Sequence, residues 1–225
     1  MSHQDEQKER PAGAPDAPQT KWNPILIVIM GVAGTGKTTL ALSLQSRLGM
    51  PYIEGDALHP PDNIAKMSVG VPLTDADREP WLERIRTTAE RTALEHPDAA
   101  GALATCSALR GYYRDILRGT RAPPGLPIDV DLNGNGVRDR SLPAYFVYIK
   151  GGRDVIWERI SAREGHYMKP GMLDSQFAAL ESPEGEEGVV VVPLEGSTEE
   201  QTDIAIRELN KLLPEPLSVG PPSEA

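Results

Sequence analysis

The segment Ile25-Leu26-Ile27-Val28-Ile29-Met30 runs directly into Gly31-Val32-Ala33-Gly34-Thr35-Gly36-Lys37-Thr38-Thr39, and this junction constrains the fold more than any other part of the chain. The first six residues are aliphatic, mostly β-branched and without polar alternation, the texture of a parallel strand covered on both faces. The next nine satisfy G-x-x-x-x-G-K-[ST]. Leu40, Leu44 and Leu48 then recur every four residues, which marks one buried helix face. Strand, glycine-rich turn and helix in that order make a phosphate cradle. Backbone N–H groups converge on phosphate oxygens, the helix N-terminus adds partial positive charge, Lys37 reaches the β and γ phosphates, and Thr38 offers a hydroxyl to Mg²⁺. Every residue from Gly31 to Thr39 is therefore expected to line bound triphosphate.

Further strands are expected at Tyr52-Ile53, Tyr145 to Ile149 and Val189 to Val192. A weaker one is expected at Gly101 to Cys106, whose alanines are poor β-formers. A last helix is announced by Ser197 with Glu200 three positions on, followed by Ile204, Ile206, Leu209 and Leu213 as its apolar set. Strands alternating with helical patterns predict an α/β domain over 23–213 with a parallel sheet. Residues 1–22 are charged and proline-bearing with few aliphatics, so they cannot offset the entropy of ordering, and 214–225 are read likewise as a tail. Between 119 and 143 Pro, Gly, Asn and Asp dominate and no period survives, which reads as a surface insertion. Within it Asp129-x-Asp131-x-Asn133-Gly134 imitates the start of a calcium loop, but the twelfth position is Arg140 where a bidentate Glu is needed.

Bulk properties narrow the partner. With a formal charge of −10 over 225 residues and a pI near 4.9, the chain is ill suited to neutralising nucleic-acid phosphates or lying on anionic lipid. A small-molecule substrate fits better. The longest apolar run is Ile25 to Met30, far short of the roughly 20 residues a spanning helix needs, and the N-terminus is not signal-like, so a cytoplasmic protein is expected. The one cysteine, Cys106, allows no internal disulfide and reads as a packing residue.

Other residues divide the phosphate-binding classes. A GTPase needs N-K-x-D, whereas Asn210-Lys211 leads into Leu212-Leu213. Motor-type ATPases end a strand in acidic residues, whereas this one ends Thr105-Cys106-Ser107. After the second strand stands Glu54-Gly55-Asp56-Ala57-Leu58-His59-Pro60, then Asn63, Lys66, Met67 and Gly70 to Leu82. Cys106 to Arg110, Tyr113 to Arg118, Gly165-His166-Tyr167 and Met172 to Glu181 follow in order. In these blocks the chain resembles the gluconokinases, small P-loop kinases. The resemblance spans Ile25 to Leu213 and implies ATP as phosphoryl donor with Mg²⁺ and D-gluconate as acceptor at its 6-hydroxyl. It implies a product that feeds the pentose phosphate pathway. It also implies a three-layer P-loop kinase fold with a mobile lid, and a possible homodimer.

A polyol acid needs a cation for its carboxylate, polar groups for its hydroxyls and a base near the attacking oxygen. Asp56, at the C-terminal end of a parallel strand beside the phosphate loop, is the candidate base, with a turn cap as its bland alternative. Arg78 is the candidate bidentate grip on the carboxylate, or else a solvated helix-start charge. His59 and Lys66 follow Asp56 closely enough to donate to hydroxyls. Arg110 and Arg114 are either substrate contacts or members of surface ion pairs. By resemblance a lid over Ala162 to Met172, in a lid region reaching about residue 180, carries Arg163 as catalytic cation, with Lys169 second and His166 in support. Gln176 faces the substrate. Two alternatives stay open: a sister kinase acting on shikimate or another sugar acid, and an ATP-binding switch without kinase activity.

Overall fold

The computed structural model describes residues 23–121, 142–162 and 170–220. Five parallel strands form one sheet in the order β2-β3-β1-β4-β5: β1 Ile25–Met30, β2 Tyr52–Ile53, β3 Gly101–Cys106, β4 Ala144–Lys150 and β5 Val189–Pro193. The helices are α1 Lys37–Leu48, α2 Pro61–Ser68, α3 Asp75–Glu95, α4 Gly111–Arg118, α5 Arg153–Ser161, α6 Pro170–Ala179 and α7 Thr198–Leu212. α1 packs on β1 and β3 and against α7, while α3 lies on β3 and β2 with α4 beside it. Every side chain of β1 and β3 is buried, as strands covered on both faces must be. The fold is that of P-loop kinases.

β3 is present over the range read from the sequence despite its composition. Small residues at Ala102 and Ala104 let α1 and α3 settle close on a central strand that draws its pairing from β1 and β2 on either side. Leu40 and Leu44 are fully buried on α1 and Leu48 partly so. Ser197 and Glu200 close a reciprocal capping box on α7, whose buried face also takes in Ala205 and the polar Gln201 and Thr202, the last two invisible to an apolar count. A second capping box, Thr74 with Asp77, starts α3.

The C-terminal stretch departs from expectation. Residues 214–220 lie against the domain: Leu217 is buried, its N–H donates to Asn210 Oδ1 at 2.8 Å, and Gly220 N–H donates to the Arg47 carbonyl at 2.8 Å. One apolar anchor and two hydrogen bonds hold a segment whose composition alone reads as a tail. Arg86 is fully buried and its Nη1 donates to the carbonyls of Leu117 (3.0 Å) and Leu142 (2.7 Å), tying together the two chain ends that flank the insertion. The calcium-like stretch and residues 1–22 lie outside the described residues.

Candidate active site

Strand order reverses between β1 and β3, so the crevice above their C-terminal ends is the topological switch point where open α/β sheets bind ligands. The phosphate loop fills that position. Gly36, the N-cap of α1, sits at φ 85°, a left-handed conformation that leaves the first amides of α1 open to an anion. The Lys37 ammonium donates to the Val32 carbonyl at 3.0 Å, and the buried Thr35 hydroxyl braces the same carbonyl at 2.9 Å. Burial pulls the Lys37 pKa down while Asp56 and Glu54 oppose the shift. Beside the loop a cleft of about 380 Å³ is lined by Gly34, Gly36, Thr39, Arg159, Gly196 and Thr198 among others.

On the other side stands the turn after β2. Glu54 caps the short 3₁₀ turn Gly55–Leu58 and gathers three hydroxyls. Thr38 donates to its Oε2 at 2.9 Å, Tyr52 to the same oxygen at 2.7 Å, and Thr105, from the end of β3, to Oε1. Burial raises the Glu54 carboxyl, and those hydrogen bonds overcome it and hold the group below its ordinary value, so it stays ionised. Gly55 is where it is because a Cβ there would lie 1.9 Å from the Thr105 carbonyl, and its own carbonyl accepts from Trp81 Nε1 at 2.7 Å. This close approach of β2 to β3 delivers Glu54 and Asp56 to the mouth of the loop.

Asp56 is exposed and close enough to Lys37 to feel its charge. Desolvation by the surrounding protein raises its pKa against the pull of Lys37, with Glu54 adding to the rise. His59 is buried and stacked on Trp81, ring centroids 4.1 Å apart, and its Nδ1 lies 3.3 Å from Asn63 Nδ2. Burial and the positive charge of Arg78 push its pKa down to about 4, so the ring is neutral near pH 7. Arg78 donates to the Leu73 carbonyl and holds its guanidinium 5.9 Å from the centre of the Tyr113 ring.

The remaining cations are engaged. Lys66 pairs with Asp77 at 2.6 Å and Arg110 with Asp75 at 2.8 Å, where the Tyr113 hydroxyl also donates. Arg114 is buried, with Nε on Glu186 at 2.9 Å and Nη1 on the Ala108 carbonyl at 2.8 Å, a structural pair rather than a surface one. Gln176, expected toward the acceptor, accepts from the Ala33 N–H at 2.7 Å and so lies on the phosphate loop. Arg163, His166 and Lys169 lie outside the described residues.

Among the described residues there is no group of three or more His, Cys, Asp or Glu able to hold a metal; Mg²⁺ in kinase sites is bound through one or two protein groups and substrate phosphates. Thr38 fits that role. Its proton is committed to Glu54, which leaves its lone pairs for a hard cation beside an ionised carboxylate.

No family model matches the chain. A gluconokinase from Gluconobacter oxydans (strain 621H) is 42% identical over 192 residues, covering 85% of this chain and 92% of its own length. The chain belongs to the gluconokinase family. The thermoresistant gluconokinase of Escherichia coli (strain K12) is 38% identical over 76% of this chain and 87% of its own. The crystal structure of a gluconokinase from Sinorhizobium meliloti 1021 superposes with a TM-score of 0.65 at 38% identity, covering 84% of this chain and 94% of that one.

Within the gluconokinase frame, two functional candidates escaped the sequence reading. Glu54 lies unassigned in the stretch Glu54 to Pro60, and Thr105 reads in the sequence only as a non-acidic strand end. The signal for Glu54 was its spacing: two carboxylates at i and i+2 after a parallel strand, beside a phosphate loop. For Thr105 nothing local pointed to it, since its role exists only once β3 lies against β2.

Proposed function

We propose that this chain transfers the γ-phosphoryl group of ATP to the 6-hydroxyl of D-gluconate, yielding 6-phospho-D-gluconate. The observation that carries the reading is the pairing of a phosphate loop with Asp56, an accessible carboxylate of raised pKa in the turn after β2 that feels the charge of Lys37, in a chain 42% identical to a gluconokinase. ATP lies with its phosphates on Gly31 to Thr39 and its base toward the cleft lined by Arg159, Gly196 and Thr198. Lys37 meets the β and γ phosphates. Thr38, with Glu54 behind it, would hold Mg²⁺, which would supply charge neutralisation to the phosphates.

Asp56 accepts the proton of the attacking hydroxyl. Neutral His59, locked by Trp81 and Asn63, donates to an acceptor hydroxyl, and Arg78 takes the carboxylate. Lys66 and Arg110 contribute where their pairs with Asp77 and Asp75 open. Arg163 and His166 complete the lid around the transferring group. A cytosolic homodimer belongs to the same proposal. Among the described residues no helix is long and apolar enough to cross a membrane, and light scattering on the purified protein measures the oligomeric state.

The test is ADP release from Mg·ATP with D-gluconate, shikimate, other sugar acids and glucose as separate acceptors. D-gluconate alone is expected to raise the rate by orders of magnitude. A shikimate-dependent rate, or a slow rate indifferent to every acceptor, overturns the assignment.

A further inference from the structure

A hydrogen bond crosses from α6 to the phosphate loop, joining Gln176 Oε1 to the Ala33 N–H at 2.7 Å over 143 positions of sequence. Ala33 is the third residue of that loop, so its amide borders the place where a triphosphate would end. The carboxamide is oriented by this contact: only its oxygen can accept, and turning it over would set an NH₂ group against an N–H. With the oxygen committed, Gln176 has two donors left and no further need of a backbone partner.

The helix that carries it is braced at both ends. Leu173 is buried, and Arg153 Nε donates to Asp174 Oδ1 at 2.9 Å. At the other end the Glu181 N–H donates to the Leu109 carbonyl at 2.8 Å, and Glu181 Oε2 accepts the Gly111 N–H at 2.7 Å. A donor on such a strut is fixed before the reaction begins, the condition under which a hydrogen bond to developing charge is most effective.

We propose that Gln176 is a catalytic donor to the transferring phosphoryl group, its carboxamide oxygen held by Ala33 and its N–H groups given to the equatorial phosphoryl oxygens. It moves no proton; it stabilises charge spread over those oxygens during transfer. This assignment rests on the kinase reading, and it shifts Gln176 from the acceptor to the nucleotide side.

Two variants test it in the full-length protein with Mg·ATP and D-gluconate. Gln176→Glu keeps an oxygen for Ala33 but has no donor when ionised, whereas Gln176→Met loses both. At pH 8 both are expected to lower kcat on the order of 100-fold, the usual cost of one preorganised donor, with little change in the KM for ATP. As pH falls, the Gln176→Glu deficit should narrow because the protonated carboxyl regains an O–H donor, while the Gln176→Met deficit stays constant. Wild-type kcat in Gln176→Glu at pH 8 would overturn the proposal and leave a purely structural bond. A lower KM for ATP at unchanged kcat would overturn it too, by showing that Gln176 competes with triphosphate for Ala33. Failure of the kinase reading is separately visible, as absence of gluconate-dependent ADP release from the wild type.

Discussion

The Thr38 hydroxyl donates to Glu54 Oε2 at 2.9 Å, joining the first turn of the helix after the phosphate loop to the end of β2, on the far side of β3. Two elements thus share one proton donor, and the ionised carboxylate orients the hydroxyl that would face Mg²⁺. Glu54→Gln keeps the volume and removes the charge. It is expected to lower kcat by about 10- to 100-fold, the usual cost of an outer-shell partner, and to raise the Mg²⁺ concentration for half-maximal rate. A magnesium titration checks this, and an unchanged metal requirement would contradict it.

His59 makes stability depend on pH in a stated direction. Its folded pKa of about 4 lies below the unfolded value of 6.5, so between these limits the unfolded chain binds a proton that the folded one refuses. Stability is therefore complete above pH 6.5 and drains away as pH falls toward 4. At pH 5 the loss from this one ring is about 2 kcal/mol. Urea unfolding at pH 7.5 and pH 5.0 should show that difference in the wild type, reduced by the same amount in His59→Gln. Equal pH dependence in both proteins would rule out a neutral buried ring.

Arg114 separates architecture from chemistry. It is 0% exposed and holds Glu186 together with the Ala108 and Glu181 carbonyls, so Arg114→Met leaves two carbonyls without their donor and Glu186 with Arg118 alone. The expected cost is about 1–3 kcal/mol in chemical denaturation. At a temperature where the variant is folded, its kcat and its KM for gluconate should match the wild type. A raised KM for gluconate in the folded variant would return Arg114 to the acceptor site.

How much of this was legible in the sequence follows from where the information lies. β1, the phosphate loop and the capping box of α7 are local: period, glycine spacing and a cap separated by three residues decide them within one segment. β3 was marginal because Ala102 and Ala104 have little strand preference, and the neighbours that make them a strand are β1 and β2. The pairings of Lys66 with Asp77 and of Arg110 with Asp75 could not be read, because a free cation and a paired one have the same letter. Gln176 shows the limit most plainly: its partner Ala33 is 143 positions away, and no local pattern reports a contact that the sheet creates.

The central claim is that Asp56 removes the proton of the gluconate hydroxyl, and its isosteric replacement tests this most directly. Gluconate-dependent ADP release should be measured across pH for the wild type and Asp56→Asn. In the variant kcat is expected to fall about 10²- to 10⁴-fold, with the KM for ATP nearly unchanged. The wild-type acid limb is expected above the ordinary carboxylate value of 3.8, because desolvation raises this group and a base must be ionised to act. An Asp56→Asn enzyme that keeps its gluconate-dependent rate, with the acid limb unaltered, would contradict it.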